Sequence, residues 1–248
     1  MRIRHVPGAE AFVEAHPLVV QAPQDCAGSW RTSVFGRHAS APLYLEVGMG
    51  MGRFLRESAR LHPEICYIGY EINTTALYKA LRRLDAEEAK LREAAGAGAL
   101  DAAAQTAEAA SAAPGEAGLR GNLRFIRSDA RFLEEHFGEH EADRIYLNFS
   151  DPWPKDKNAN KRLTSPVFLK HYERILKEDG RIEFKTDNRG LFGYSVETLP
   201  REGWHIEALT YDLHMDPVLS AGNVMTEYEL KFSERGNPIF KLIASRQV

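Results

Sequence analysis

Short apolar runs alternate with amphipathic ones along most of this chain, and that alternation constrains the fold more than any other feature. Leu43–Val47, Cys66–Tyr70, Leu123–Arg127, Arg144–Phe149 and Arg181–Lys185 read as strands. Phe54, Leu55, Ala59 and Leu61 recur at near-helical spacing after the first, and Ala76, Leu77, Ala80, Leu81 and Leu84 after the second. Val167–Leu176 is a helix stopped near Gly180, just before the fifth strand. Strand and helix in turn predict an α/β fold, a doubly wound and mostly parallel sheet with helices on both faces. Later strand candidates, His205–Tyr211, Glu227–Phe232 and Ile239–Ala244, lack intervening helices and predict an antiparallel edge.

With 248 residues, 44% of them hydrophobic, the chain can bury one sizeable core without staples. Its only cysteines, Cys26 and Cys66, form no Cys-x-x-Cys pattern, which argues against a disulfide framework or a structural zinc and for a reducing cytoplasm. No apolar run reaches the roughly 20 residues of a membrane span, and no apolar segment follows the N-terminal Met1-Arg-Ile-Arg-His. The expectation is a cytoplasmic protein with no membrane partner. One segment breaks the pattern: Ala94–Gly118 holds 13 alanines and four glycines and almost no large apolar side chain. It reads as an inserted mobile loop, with a transient helix around Leu100–Ala110. Residues 1–40, which carry Arg2, Arg4, Arg31 and Arg37, read as an N-terminal extension, and residues 41–248 as the main domain.

Glu46-Val-Gly48-Met-Gly50-Met-Gly52 lies where open α/β sheets bind ligands, outside the carboxyl end of a strand. Arg53 stands where the dinucleotide fingerprint needs its third glycine or alanine, and no Walker Gly-Lys-Ser/Thr follows, so neither a pyrophosphate cofactor nor a nucleoside triphosphate suits the loop. Glu71 closes the second strand, about 20 residues on, where a carboxylate can accept from ribose hydroxyls. Asp129 follows the third strand. A ligand carrying ribose, adenine and positive charge suits these acids, and S-adenosylmethionine has all three. The plainer alternative is that Glu71 caps the next helix and the glycines merely turn the chain.

The fourth strand runs into Asn148-Phe-Ser-Asp-Pro-Trp-Pro-Lys155 and then Asp-Lys-Asn-Ala-Asn-Lys-Arg162, four cations within eight residues. Net charge is −3, from 32 basic and 35 acidic residues, so any basic patch must be local; the acidic stretch Glu134–Asp143 offsets this run in the sum without having to share its face. His136-Phe-Gly-Glu-His140 matches the inverted zinc-protease string, yet Gly138 and the missing apolar face argue against a metal.

Taken in order, Glu46–Gly52, Tyr67-Ile-Gly-Tyr-Glu-Ile72, Asn122–Ala130, Asn148–Lys155, Lys161-Arg-Leu-Thr164, Phe184-Lys-Thr-Asp187 and Asn223-Val-Met-Thr-Glu-Tyr-Glu229 resemble the bacterial tRNA (guanine-N7-)-methyltransferases over about residues 40–244. The resemblance implies a class I methyltransferase fold with a Rossmann-like seven-stranded sheet. It implies S-adenosylmethionine as donor, no metal, and tRNA as partner, with a guanine of the variable loop as acceptor. Carried over by motif, Glu46, Gly48, Gly50, Glu71, Asp129 and Asp151 hold the donor, and Asp151 is the catalytic residue. Lys155, Asp187 and Thr226, Glu227, Tyr228 and Glu229 meet the acceptor, and Lys157, Lys161 and Arg162 the RNA backbone. Asp187 is alternatively a helix N-cap, Glu229 an exposed strand position, Lys161 and Arg162 solvated charges. Trp153 either stacks on a base or packs its loop. The insert at 94–118 departs from the family pattern, and the run after Lys155 is less basic than is common there. With tRNA as partner, the extension at 1–40 is either mobile or RNA-facing through Arg2, Arg4, Arg31 and Arg37. Monomer and homodimer both stay open. The rival readings are another S-adenosylmethionine-dependent base methyltransferase, since Ser150-Asp-Pro-Trp153 faintly resembles the motif of exocyclic-amine enzymes, and a non-catalytic RNA-binding protein of the same fold.

Overall fold

A computed structural model describes residues 5–102, 121–234 and 236–246. Seven strands form one sheet: β1 (Leu43–Val47), β2 (Cys66–Tyr70), β3 (Leu123–Ile126), β4 (Ala142–Asn148), β5 (Leu176–Thr186), β6 (Trp204–Thr210) and β7 (Phe240–Arg246). Their spatial order is β3-β2-β1-β4-β5-β7-β6. The first five strands are mutually parallel, while β7 runs antiparallel to both β5 and β6. The order reverses between β1 and β4, and in open α/β sheets that switch point is where a crevice opens at the carboxyl ends.

The helices are α1 (Ala9–Ala15), α2 (Arg53–Leu61), α3 (Thr74–Ala102), α4 (Leu133–His136), α5 (Pro166–Ile175), α6 (Arg189–Arg201) and α7 (Glu227–Ser233). Strand parity divides the interior into two cores. Leu43, Leu45 and Val47 of β1 join one core with Tyr172 of α5 and Phe192 of α6. Tyr44 packs toward the other, with Phe54 and Leu55 of α2 and Leu77 and Leu81 of α3. Gly69 lets that second face close, because a Cβ there would collide with Met49 Sδ, Leu55 Cδ1 and Phe125 Cδ1.

Three expectations change. Glu227–Phe232 is the helix α7 rather than a strand, since Thr226 Oγ1 accepts from Glu229 N at 3.0 Å and starts a helical turn. Without that candidate the strands number seven among the described residues. β5 begins at Leu176, directly after α5, instead of at Arg181. α3 continues through Ala102, so the alanine-rich segment opens as helix, as alanine's propensity favours. Residues 103–118 of the expected insert, with most of the Leu100–Ala110 helix, lie outside the described residues.

The first forty residues are tied to the sheet from Leu18 onward. Val19 makes a parallel bridge to Phe125 at the β3 edge. Trp30 is fully buried against Phe137 and donates its indole N–H to the His136 carbonyl at 2.7 Å. Arg31, one of the arginines expected to face RNA, is buried and pairs with Asp143 at 2.6 Å.

Candidate active site

At the switch point a cleft of about 990 Å³ opens over the carboxyl ends of β1, β2 and β4. Its floor is the glycine loop. Gly48, Gly50 and Gly52 hold φ of 76°, 57° and 70°, the left-handed region that glycine adopts without a Cβ penalty. Gly48 N donates to Tyr70 O at 2.8 Å, which folds the loop against β2. Glu71 completes the brace: Oε2 accepts from Gly50 N at 2.8 Å and Oε1 from Asn73 N at 2.7 Å. Burial pushes the Glu71 carboxyl above its ordinary value, and those backbone N–H groups oppose the shift. Across the cleft, Asp129 accepts from Arg131 N at 2.9 Å, and the Arg131 side chain holds its carboxyl below the usual range. Tyr70 Oη donates to the Asp129 carbonyl at 2.9 Å and lies 2.8 Å from His136 Nδ1, so the Asp129 turn is fixed from behind.

The segment after β4 is strained. Phe149 and Trp153 have φ of 53° and 41°, a region costing a non-glycine residue roughly 1–2 kcal/mol. Such strain persists only where the surroundings hold it. Phe149 N donates to Lys185 O at 2.8 Å. Arg162 reaches back: its Nε donates to Pro152 O at 3.1 Å and its Nη2 to Trp153 O at 3.0 Å, and its guanidinium lies 4.3 Å from the Tyr194 ring centre. Arg162 is only 8% exposed. It therefore clamps the Asp151 loop and is not presented to an RNA backbone, contrary to the sequence expectation. Lys161 remains exposed, with its ammonium 4.8 Å from the centre of the Trp153 ring, a cation–π contact. Trp153 thus lines the cleft with a cation over its face. Asp151 is exposed and lines the cleft; Lys155 and Lys157 are exposed beside it in sequence.

Glu46 is placed otherwise than expected. It shares Tyr44's side of β1, is 1% exposed, and does not line the cleft. Its Oε1 accepts from Asn148 Nδ2 at 2.7 Å, and Oε2 has no protein partner. Burial pushes the carboxyl up to about 8, from an ordinary 4.5. The folded protein therefore holds this proton more tightly than the unfolded chain. That contribution to stability is complete below about 4.5 and is lost as pH rises through about 8. Glu46→Gln is expected to melt like the wild type near pH 5 and roughly 4 °C or more above it near pH 9. Calorimetry with S-adenosylhomocysteine should show unchanged affinity in this variant.

Glu229 also departs from the exposed strand position. It is fully buried in α7, paired with Lys185 at 2.7 Å and accepting from Asn223 Nδ2 at 2.6 Å. Burial pulls the Lys185 ammonium below its usual value, against the pull of Glu229. Thr226 is the buried cap of α7, and Glu227 pairs with Arg83 at 2.7 Å. Of that segment Tyr228 lines the cleft, its ring stacked on Phe149. Asp187 is half-buried past the end of β5, and the cap of α6 is Asn188, not Asp187. The zinc-protease string disperses: His136 meets Tyr70, His140 meets Leu176 O, and Glu139 pairs with Arg174.

This lining suits a ribose-bearing sulfonium compound. Glu71, Asp129 and Asp151 offer acceptors, the Phe149 and Tyr228 rings offer faces to a cation, and Ser150 Oγ is shielded from solvent without a protein partner. Sequence reasoning missed Phe149, Tyr194 and Lys185. A lysine inside Ile182-Glu-Phe-Lys185 was the available signal, since a cation on a core strand demands partners.

A family model described as "Putative methyltransferase" matches residues 40–242. The tRNA (guanine-N(7)-)-methyltransferase of Lachnoclostridium phytofermentans is 38% identical over 247 residues, 100% of this chain and 99% of that protein. Its namesake from Enterococcus faecalis is 40% identical over 245 residues, 98% of each. Among solved structures, an antibiotic-related methyltransferase superposes with a TM-score of 0.56 at 16% identity, covering 88% of this chain and 92% of its own. The 16S rRNA methyltransferase KamB gives 0.53 at 16%, covering 84% and 88%. At that identity the structural likeness speaks to the class I methyltransferase fold alone. With full-length identity near two residues in five, and the cleft where that fold places it, the chain belongs to the tRNA (guanine-N7-)-methyltransferase family.

Proposed function

We propose that this protein methylates N7 of a guanine in the variable loop of tRNA. The observation that carries the reading is the clamped loop that sets exposed Asp151 on the rim of the cleft, beside the exposed Lys155, Lys157 and Lys161. S-adenosylmethionine, when bound, supplies an electrophilic methyl group on a positively charged sulfur. Gly48, Gly50, Glu71 and Asp129 would hold that donor, with Asp151 at its acceptor end. Guanine N7 has an in-plane lone pair and no proton to lose, so Asp151 does not act as a general base. Its charge favours the positive charge that develops on the purine, and its fixed position helps align the base. The guanine N1–H and N2–H₂ edge needs an acceptor, and Asp187 is the carboxylate proposed for it, because both Glu229 oxygens already have partners. Tyr228 offers a ring face in the cleft lining.

Incubation with labelled donor and unmodified tRNA, followed by cleavage at N7-methylguanosine, tests this reading. Methyl transfer to an adenine amine, or none with donor bound, overturns it. Changing Lys155, Lys157 and Lys161 together to Ala should weaken tRNA binding. It should also flatten the slope of log affinity against log salt by about 0.7–0.9 for every phosphate no longer neutralised. An unchanged slope would remove these lysines from the RNA interface.

A further inference from the structure

We infer that Lys185 is a positioning residue that assembles the acceptor end of the site. The inference rests on the function proposed above. Two separate segments meet there, the Asn148–Trp153 loop after β4 and the Asn223–Glu229 segment that leads into α7. Lys185 holds both. Its backbone carbonyl accepts from Phe149 N, the first left-handed residue of the Asp151 loop. Its ammonium donates to Asn223 Oδ1 at 2.9 Å, to Val224 O at 3.0 Å and to Glu229 Oε2 at 2.7 Å. All three donor positions of the ammonium are thereby used on one segment. The two segments touch at the cleft, where the Phe149 and Tyr228 rings stack with centres 6.1 Å apart. Lys185 itself is 3% exposed and absent from the cleft lining, so it acts through the groups it holds.

A simpler device would have sufficed for stability alone. Apolar residues of similar volume often replace a buried ion pair at no cost, whereas removing one partner leaves an uncompensated charge. What an apolar pair cannot do is donate to the Val224 carbonyl and the Asn223 side chain, which fix where α7 starts and so where Tyr228 points.

The double variant Lys185→Met, Glu229→Gln separates the two roles, because it leaves no charge buried alone. We expect it to melt close to the wild type and to bind S-adenosylhomocysteine with unchanged affinity by calorimetry. At saturating donor its kcat/KM for tRNA should fall about 100-fold, as for a reacting group displaced by about an ångström. A wild-type kcat/KM together with a wild-type melting temperature overturns the proposal. Asn223→Ser keeps the ion pair and removes the bonds of the Asn223 side chain to the ammonium and to Glu229, so it decides the matter even if the double variant does not fold. Its kcat/KM for tRNA should drop about 10-fold with donor affinity unchanged, a partial misplacement, and an unaltered kcat/KM overturns the proposal. Wild-type protein assayed in parallel keeps the two readings apart: if it makes no N7-methylguanosine, the function fails, and if it does, only the role of Lys185 is at issue.

Discussion

Replacing Asp151 by Ala is expected to cut turnover about 100- to 1000-fold, the usual cost of losing one preorganised electrostatic interaction with the transition state. Affinity for tRNA should change little, because Asp151 stands among cations that do not depend on it for their placement. The two effects are measured separately, by single-turnover rates at saturating tRNA and by direct binding. Asp151→Asn sharpens the result. It keeps shape and hydrogen-bonding capacity but loses the charge, so a rate near that of the Ala variant assigns the effect to charge. A rate near wild type assigns it to positioning. Unchanged turnover in the Ala variant would take Asp151 out of catalysis altogether.

The second large effect is expected at Arg162, through geometry rather than charge. Arg162→Ala removes the donors held by Pro152 and Trp153 and the stacking surface for Tyr194. Loss of charge-assisted hydrogen bonds and a shielded cation–π interaction should destabilise the fold by about 2–4 kcal/mol. The loop bearing Asp151 is then free to relax its two left-handed residues, and kcat should fall about 100-fold. Lysine cannot fork across two carbonyls, so Arg162→Lys should rescue neither loss. The slope of tRNA binding against salt should stay as in the wild type, since every phosphate keeps its cation. A flattened slope with intact kcat would return Arg162 to the RNA backbone, where the sequence pattern alone puts it.

These residues show where sequence is informative and where it stops. The parallel strands and the glycine loop were legible because apolar periodicity and chain direction together locate the carboxyl end of a sheet. Glu229 was misread because Glu227-Tyr-Glu-Leu-Lys-Phe232 alternates like a strand, although Thr226-x-x-Glu229 is a capping-box pattern that competes with it. Glu46 could have been placed by parity: Leu43, Leu45 and Val47 face one core, so Glu46 must share the opposite side with Tyr44. Arg162 had no such signal. One cation among four in a polar run looks solvated, and only the fold shows that the carbonyls of Pro152 and the left-handed Trp153 lie within its reach. Trp153 was undecidable for the same reason, as its covering cation comes from Lys161, eight positions away.

The segment before β1 has a consequence for what counts as the domain. The family model begins at residue 40, although the full-length relatives align with the segment before it as well. Packing begins earlier, since α1 lies against α3 and Trp30 fills the core beneath Phe137. From Trp30 a chain of interactions runs through the backbone of His136 and its ring to Tyr70, and from Tyr70 to the carbonyl of Asp129. The span of the family model and the span of mechanical integrity thus differ on this molecule. A protein trimmed to residues 40–242 would lose the wedge that steadies the Asp129 side of its own cleft.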